Sequence, residues 1–415
     1  MRLMTNASFE DRLTAYAELL VRVGVNVQPG QKLLVRASTE SAPLVRKVAE
    51  IAYRIGSPLV DVHWNDDGVT RARFLHGPEG SFSTISEWRA KAMIQLAEEG
   101  AASLAISSDD PDMLAGTDPD RFSTYMKAWR PAVKPYSDVA MNDGIAWSVA
   151  AAAAPAWAKR VFPGLPESEA VAKLWDAIFA ATRIDEPDPV AAWRAHTDRL
   201  KAMKDRLNDQ RFAALRFRAP GTDLRVGLAD GHVWDGGVSR TPDGTEFVAN
   251  MPTEEVFTAP NRANVDGVVR ASMPLAYNGT IIDDFALTFE AGRVVEARAG
   301  SGQKALDNVL DTDEGSRRLG EVALVPASSP IAKTGILFLE TLFDENAACH
   351  IALGKAYGLT VKGSDAMTPE QRAEVGMNES LSHVDFMIGS AEMDVDGERA
   401  NGELVPVLRQ GEWVR

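Results

Sequence analysis

Between residues 31 and 108 the chain alternates short apolar runs with amphipathic ones, and this rhythm restricts its possible folds more than any other feature. "QKLLVRAS" (31–38), "PLVDVHW" (58–64) and "ASLAISS" (102–108) have the length and apolar content of buried strands. "SAPLVRKVAEIAYRIG" (41–56) and "ISEWRAKAMIQLAEEG" (85–100), which separate them, repeat apolar residues at helical spacing. Strands joined through helices return in the same direction, so the expectation is α/β, a doubly wound amino-terminal domain with a parallel sheet. An earlier helix is announced by Ser8 and Asp11, a capping box, with Leu13, Ala17, Leu20 and Val21 sharing one face. No G-x-G-x-x-G turn and no G-x-x-x-x-G-K loop interrupts the pattern, which makes this half a scaffold rather than a nucleotide site.

Helical patterns follow near 168–183 and 189–209, separated by "RIDEPDPV", where Pro187 and Pro189 act as breakers. In the second, Trp193, Leu200, Met203 and Leu207 keep to one side. After about residue 210 the texture changes. "AALRFRAPGTDLRVGLADGHVWDGG" (213–237) and "IIDDFALTFEAGRVVEARAGSG" (281–302) read as strand pairs around Gly- and Asp-bearing turns. Two domains are therefore expected, 1–209 and 210–415, the second of α+β type. A length of 415 residues with 45% hydrophobic content suffices for a core in each.

Charge and cysteine usage narrow the function classes. With 44 basic residues against 59 acidic ones the net charge is −15, which argues against nucleic acid as a partner. Cys349 is the single cysteine, so no intrachain disulfide exists and a reducing compartment is expected. The first 24 residues carry charges at helical spacing where a secretory signal would be uninterrupted and apolar. The run closest to a membrane span, "AWSVAAAAAPAWAKRVF" (146–162), is broken by Pro155 and Lys159. No membrane association and a cytoplasmic location are the expectations.

Four segments of the second half set acids and imidazoles in apolar or turn-rich surroundings. They are "NMPTEEVFTAP" (250–260), "LGEVALVPASSPI" (319–331), "TLFDENAACHIALGKAYG" (341–358) and "ESLSHVDFMIG" (379–389). Pro252 and Pro260 keep the first from being a central strand and put Glu254 and Glu255 on a rim or loop. A strand over "SHVDFMI" points His383 and Asp385 to the same face. Singly, each group has an ordinary explanation. An adjacent glutamate pair is usually a solvated surface, Glu321 a strand end reaching water, and Tyr357 a half-buried phenol.

Together they form a pattern. His350 and His383 fall inside these segments, whereas His63, His76, His196 and His232 lie elsewhere without acidic company. Glu255, Glu321, Glu345 and Asp385 carry four negative charges, which two divalent cations balance without strongly raised pKa values. Imidazole and carboxylate ligands without a thiolate cluster suit zinc, cobalt or manganese. Cys349 beside His350 is a poor nucleophile–base pair, and neither a G-x-S-x-G elbow nor an H-E-x-x-H helix is present.

The four segments resemble, in order and spacing, the signature regions of the metallo-aminopeptidase family that includes aminopeptidase T and aminopeptidase S. The opening "RLTAYAELLVRVGVNVQPGQKLLVRAS" is similar too, so the resemblance spans nearly the whole chain. It implies metal ligands at Glu255, Glu321, His350, His383 and Asp385, with Glu345 as a further ligand, and a catalytic tyrosine at Tyr357. It also implies a dinuclear site, a homodimer, and removal of N-terminal residues from peptides with free amino termini, with broad specificity. Within that frame Glu321 is the expected bridging carboxylate. Glu254, beside a ligand, is the expected general base, with Glu321 as its competitor. Tyr357 follows His350 by seven residues, about two helical turns, so a helix here would put both on one face and aim the phenol at an oxyanion. The alternatives are a dimetal hydrolase of non-peptide amides or esters, and a non-catalytic metal- or peptide-binding protein.

Overall fold

The computed structural model describes residues 7–108, 110–277 and 280–414; the first six residues of the non-signal reading lie outside them. The described chain forms two compact units. One comprises residues up to Thr197 together with Val238–Pro252, the other Asp198–Gly237 and Thr253–Arg415.

The first unit opens with helix α1 (Phe9–Leu19), capped by the Ser8–Asp11 box, and continues to strand β1 (Leu33–Ser38) and helix α2 (Ala42–Ile55). Gly56 ends α2 at φ 105°, a conformation that costs glycine little. Strand β2 (Val60–Asn65), helix α3 (Asp67–His76), helix α4 (Glu87–Glu98), strand β3 (Ala102–Ser107), helix α5 (Pro119–Met141) and strand β4 (Trp147–Ala151) follow. The strands run β2–β1–β3–β4 with every pairing parallel. Since the strand order reverses direction at β1, right-handed crossovers send α2 to one face and α3, α4 and α5 to the other. Helices α3 and α5 have no counterpart in the sequence reading, and Pro131 and Pro135 inside α5 disguise its helical pattern. The alanine-rich run supplies β4 and the helix Pro155–Val161. Helices Glu167–Ala181 and Pro189–Gln210 lie where the periodicity predicts them, and the residues of the latter from Asp198 onward belong to the second unit.

In the second unit the two predicted hairpins form. Ala214–Ala219 pairs antiparallel with Thr222–Leu228, and Thr280–Glu290 with Arg293–Ser301. The second turns through Ala291 and Gly292, both at positive φ, as tight hairpins require. These strands belong to a nine-stranded sheet. A second sheet of four antiparallel strands contains β5 (Val256–Thr258), β6 (Leu319–Leu324), β7 (His350–Gly354) and β8 (His383–Met387), in the order β8–β7–β6–β5. This small sheet carries the site.

Candidate metal centre

Strand geometry sorts the residues of the small sheet. Val256, Val322, Leu324, Cys349, Ile351, Leu353, Val384, Phe386 and Ile388 enter an apolar core. Because side chains alternate along a strand, Glu255, Glu321, His350, His383 and Asp385 belong to the opposite face. The register then aligns them across strands: His350 pairs with Ala323, Asp385 with Ala352 and His383 with Gly354. One face is packed hydrocarbon and the other is a cluster of acids and imidazoles.

The cluster has two halves joined at Glu321. His350 Nε2 lies 3.0 Å from Glu255 Oε2 and 3.4 Å from Glu321 Oε1. His383 Nε2 lies 3.7 Å from Glu321 Oε2 and 3.3 Å from Asp385 Oδ1. Each half offers three ligand atoms within 4.8 Å of one another, Glu255–Glu321–His350 and Glu321–His383–Asp385. The two oxygens of Glu321 thus face different imidazoles. Both rings are oriented from behind, His350 Nδ1 by Ala348 O at 3.1 Å and His383 Nδ1 by Lys355 O at 2.7 Å. Donation to those carbonyls occupies each Nδ1 and leaves Nε2, on the side of the carboxylates, as the atom available to a cation.

Burial makes this arrangement costly without cations. Glu254 is 3% exposed, Glu255 6%, Glu321 4% and His350 1%. The ordinary expectation of a solvated glutamate pair therefore fails. Buried Glu255 Oε2 receives no well-aligned hydrogen bond despite its closeness to His350. Burial pushes the Glu321 carboxyl up to about 7, although His350 opposes the shift. Glu345 is also pushed well up, first by burial and then by the charges of Glu255 and Asp385. For His350 burial acts downward, but the adjoining carboxylates of Glu255 and Glu321 outweigh it and the ring is raised well above its ordinary value. His383 behaves similarly and reaches about 9, with Asp385 as its principal partner. Carboxylates and rings thus compete for protons in a region where divalent cations would satisfy all of them. The residues fit a metal centre.

The remaining predicted residues surround this core. Glu345 is outside both three-ligand groups, yet its charge is felt by Tyr357 together with those of the ligand carboxylates. Glu254 is also outside both groups, on the loop before β5, and its N–H donates to Asn346 Oδ1 at 2.7 Å. Tyr357 does not share a helix with His350. The small apolar run forms β7, and the chain then turns at Gly354, whose φ is 111°. A Cβ there would meet Ser382 O at 2.1 Å. Despite this correction, the Tyr357 ring centroid lies 4.7 Å from that of His383. Burial and the nearby carboxylates raise its phenol, so it stays a protonated donor.

Sequence reasoning missed two asparagines that hold the site together. Asn346, fully buried, accepts from Glu254 N and donates to Leu342 O at 3.0 Å and Glu345 Oε1 at 3.5 Å. Asn378 donates to Gly315 O and Gly354 O, fixing the turn that leads to Tyr357. Polar residues in apolar or irregular stretches were their only signal. Cys349 packs on the core face against Val325, and burial lifts its thiol to about 11, so it is no nucleophile.

The family model described as thermophilic metalloprotease (M29) matches residues 9–413. The chain belongs to this family. As an M29 metalloprotease it is a metal-dependent hydrolase of the aminopeptidase type. It is 49% identical over 405 residues to Aminopeptidase 2 of Geobacillus stearothermophilus, covering 98% of each chain. It is also 49% identical to Aminopeptidase T of Thermus thermophilus, covering 98% of this chain and 99% of that one. Among solved structures, wild-type AmpT from Thermus thermophilus superimposes with a TM-score of 0.93 at 48% identity, covering 98% of this M29 chain and 100% of the other.

Proposed function

We propose that the enzyme is a dinuclear aminopeptidase that releases N-terminal residues from peptides with broad specificity. The observation that carries this reading is Glu321, whose two oxygens serve two different three-ligand groups. Glu255, Glu321 and His350 would hold one cation, Glu321, His383 and Asp385 the other, with Glu345 as an additional ligand. Zinc, cobalt or manganese suits this donor set. When bound, such a pair supplies Lewis-acid polarisation and lowers the pKa of water.

The chain's own groups supply the rest. Tyr357, protonated and packed on His383, donates its O–H to the oxygen that gains charge as the peptide carbonyl is attacked. Glu254 is the proposed general base, taking a proton from water and returning it to the departing amine, with Glu321 as the competing candidate. The acidic cluster attracts the protonated terminus of a peptide. The cytoplasmic location and the homodimer belong to the same proposal, the first resting on the lone reduced cysteine and the second on the family resemblance.

The decisive experiment is a metal titration of chelated protein, read by calorimetry, beside Glu321→Gln. Wild type is expected to take up two equivalents per chain, and Glu321→Gln to weaken both. One equivalent in wild type, or loss of a single site in the variant, refutes the shared carboxylate.

A further inference from the structure

His63 belongs to the first unit, and its surroundings are not explained by the metal centre. The side chain is only 8% exposed, yet neither ring nitrogen is satisfied. Nδ1 is buried with no hydrogen-bond partner among the described residues. Nε2 lies 3.9 Å from Asp61 Oδ2, beyond hydrogen-bond length. Leaving a buried polar atom unpaired is costly, and most such atoms in folded proteins have a partner.

The neighbours of this ring share one character. Arg36 stands beside His63 in the parallel register of β1 and β2, so both side chains leave the sheet on the same face. Among the described residues no carboxylate pairs with Arg36, and its Nε is buried without a hydrogen-bond partner. The guanidinium carbon instead sits 5.4 Å from the centre of the Tyr136 ring, whose hydroxyl is hydrogen-bonded to Ser103 Oγ at 2.7 Å. An aromatic platform thus holds this charge in place without neutralising it. Arg89 donates from one nitrogen to Trp64 O, and its charge, like that of Arg36, is felt at the His63 ring.

Trp88 and Arg89 lie in the first turn of α4, a helix of 12 residues whose N-cap, Ser86, makes no side-chain hydrogen bond to it. The Trp88 ring is 6.3 Å from that of His63, which brings the imidazole beside this uncapped amino terminus. Unsatisfied N–H groups and the helix dipole favour negative charge there. Glu87 in the same turn does not supply it, since its carboxylate is 73% exposed and pairs with Lys91. Arg36 and His63 also occupy the second halves of their strands, towards the carboxyl ends at which open parallel sheets bind ligands.

We propose that this part of the first unit binds a small oxyanion, a phosphate or a carboxylate, with Arg36, Arg89, His63 Nδ1 and the amino terminus of α4 as its donors. The guanidinium fork matches paired oxygens of either anion. The site shares no residue with the metal centre, so the inference goes beyond the peptidase activity and does not depend on it.

The test uses the zinc-loaded full chain with its histidine rings labelled with ¹⁵N, the His63 signals being identified by their loss in His63→Gln. Inorganic phosphate is titrated at constant ionic strength, and separately acetyl-alanyl-alanine, with acetyl-alanyl-alanine amide as the uncharged control. Phosphate or the acid is expected to shift the His63 signals saturably, and the amide and chloride are not. A response to phosphate alone defines a phosphate site, and a response to the acid alone a carboxylate site; either supports the proposal. The His350 and His383 signals report anions that go to the metals and so keep the two places apart. Arg36→Met should raise the apparent Kd about tenfold or more, the scale of one lost charge-assisted hydrogen bond, while Arg36→Lys keeps part of the affinity. A cooperative thermal transition verifies that each variant is folded, and Arg89→Met is the second route if Arg36→Met is not. His63 signals that ignore both anions, that follow chloride equally, or that titrate unchanged in the arginine variants overturn the proposal.

Discussion

At the scale of single residues, the site depends on which protons are held and which are given up. Tyr357 is kept protonated by burial and by the carboxylates around it, so it can donate but not serve as a base. Glu254 is buried on the loop before β5 and lies outside both ligand groups. Paired substitutions separate the two roles. Tyr357→Phe should reduce kcat by about 100-fold, equivalent to roughly 3 kcal/mol of oxyanion stabilisation, with metal content unchanged. Glu254→Gln should also retain metal but lose most rate on the plateau of the pH–rate profile, where the wild-type base is ionised, and the acidic limb should flatten. A Tyr357→Phe enzyme turning over at the wild-type rate removes the phenol from the mechanism, and a full-speed Glu254→Gln enzyme removes that base. Glu255, Glu321, His350, His383 and Asp385 were all legible from residue type and company. Asn346 was not, because one amide in an apolar run has no periodic signal until its three partners are known.

At the scale of elements, what could be read depended on whether period and length were decisive. The βαβ rhythm of the first 108 residues and the strand over "SHVDFMI" were decisive, and β8 places His383 and Asp385 on one face as the period requires. "HIALG" was not. A short run of small apolar residues is equally compatible with helix and strand, and only pairing with β6 and β8 selects the strand. Consequently Tyr357 reaches His383 through a turn and not along a helix face. That turn yields its own prediction. Gly354→Ala should destabilise the fold by more than about 1 kcal/mol, because alanine resists the positive φ and its Cβ meets Ser382 O. It should also reduce kcat more than it weakens metal binding, since the turn carries Tyr357. Equal thermal stability and unchanged kcat would show that the turn tolerates a side chain.

At the scale of the whole molecule, metal binding and stability are linked through protons. In the metal-free protein the Glu321 carboxyl rises from 4.5 to about 7 and His383 from 6.5 to about 9. Both groups bind their protons more tightly folded than unfolded. Their contribution is therefore complete below the unfolded values and is lost as pH climbs through the folded ones. Chelated protein should lose thermal stability steadily between about pH 5 and pH 9. Metal-loaded protein, whose ligands give up these protons, should lose much less, so the gap in Tm widens with pH. Scanning calorimetry with and without chelator checks this, and a chelated Tm that is flat or rising across the window contradicts it. The small sheet has one further consequence. In the strands β6, β7 and β8, Glu321, His350, His383 and Asp385 lie on the face opposite Val322, Ile351, Val384 and Phe386, so sliding one of these strands by one position would sink charges into hydrocarbon and break up the ligand cluster. Ion capture at the proposed centre would thereby proofread the assembly, rewarding the one alignment in which these strands are seated correctly.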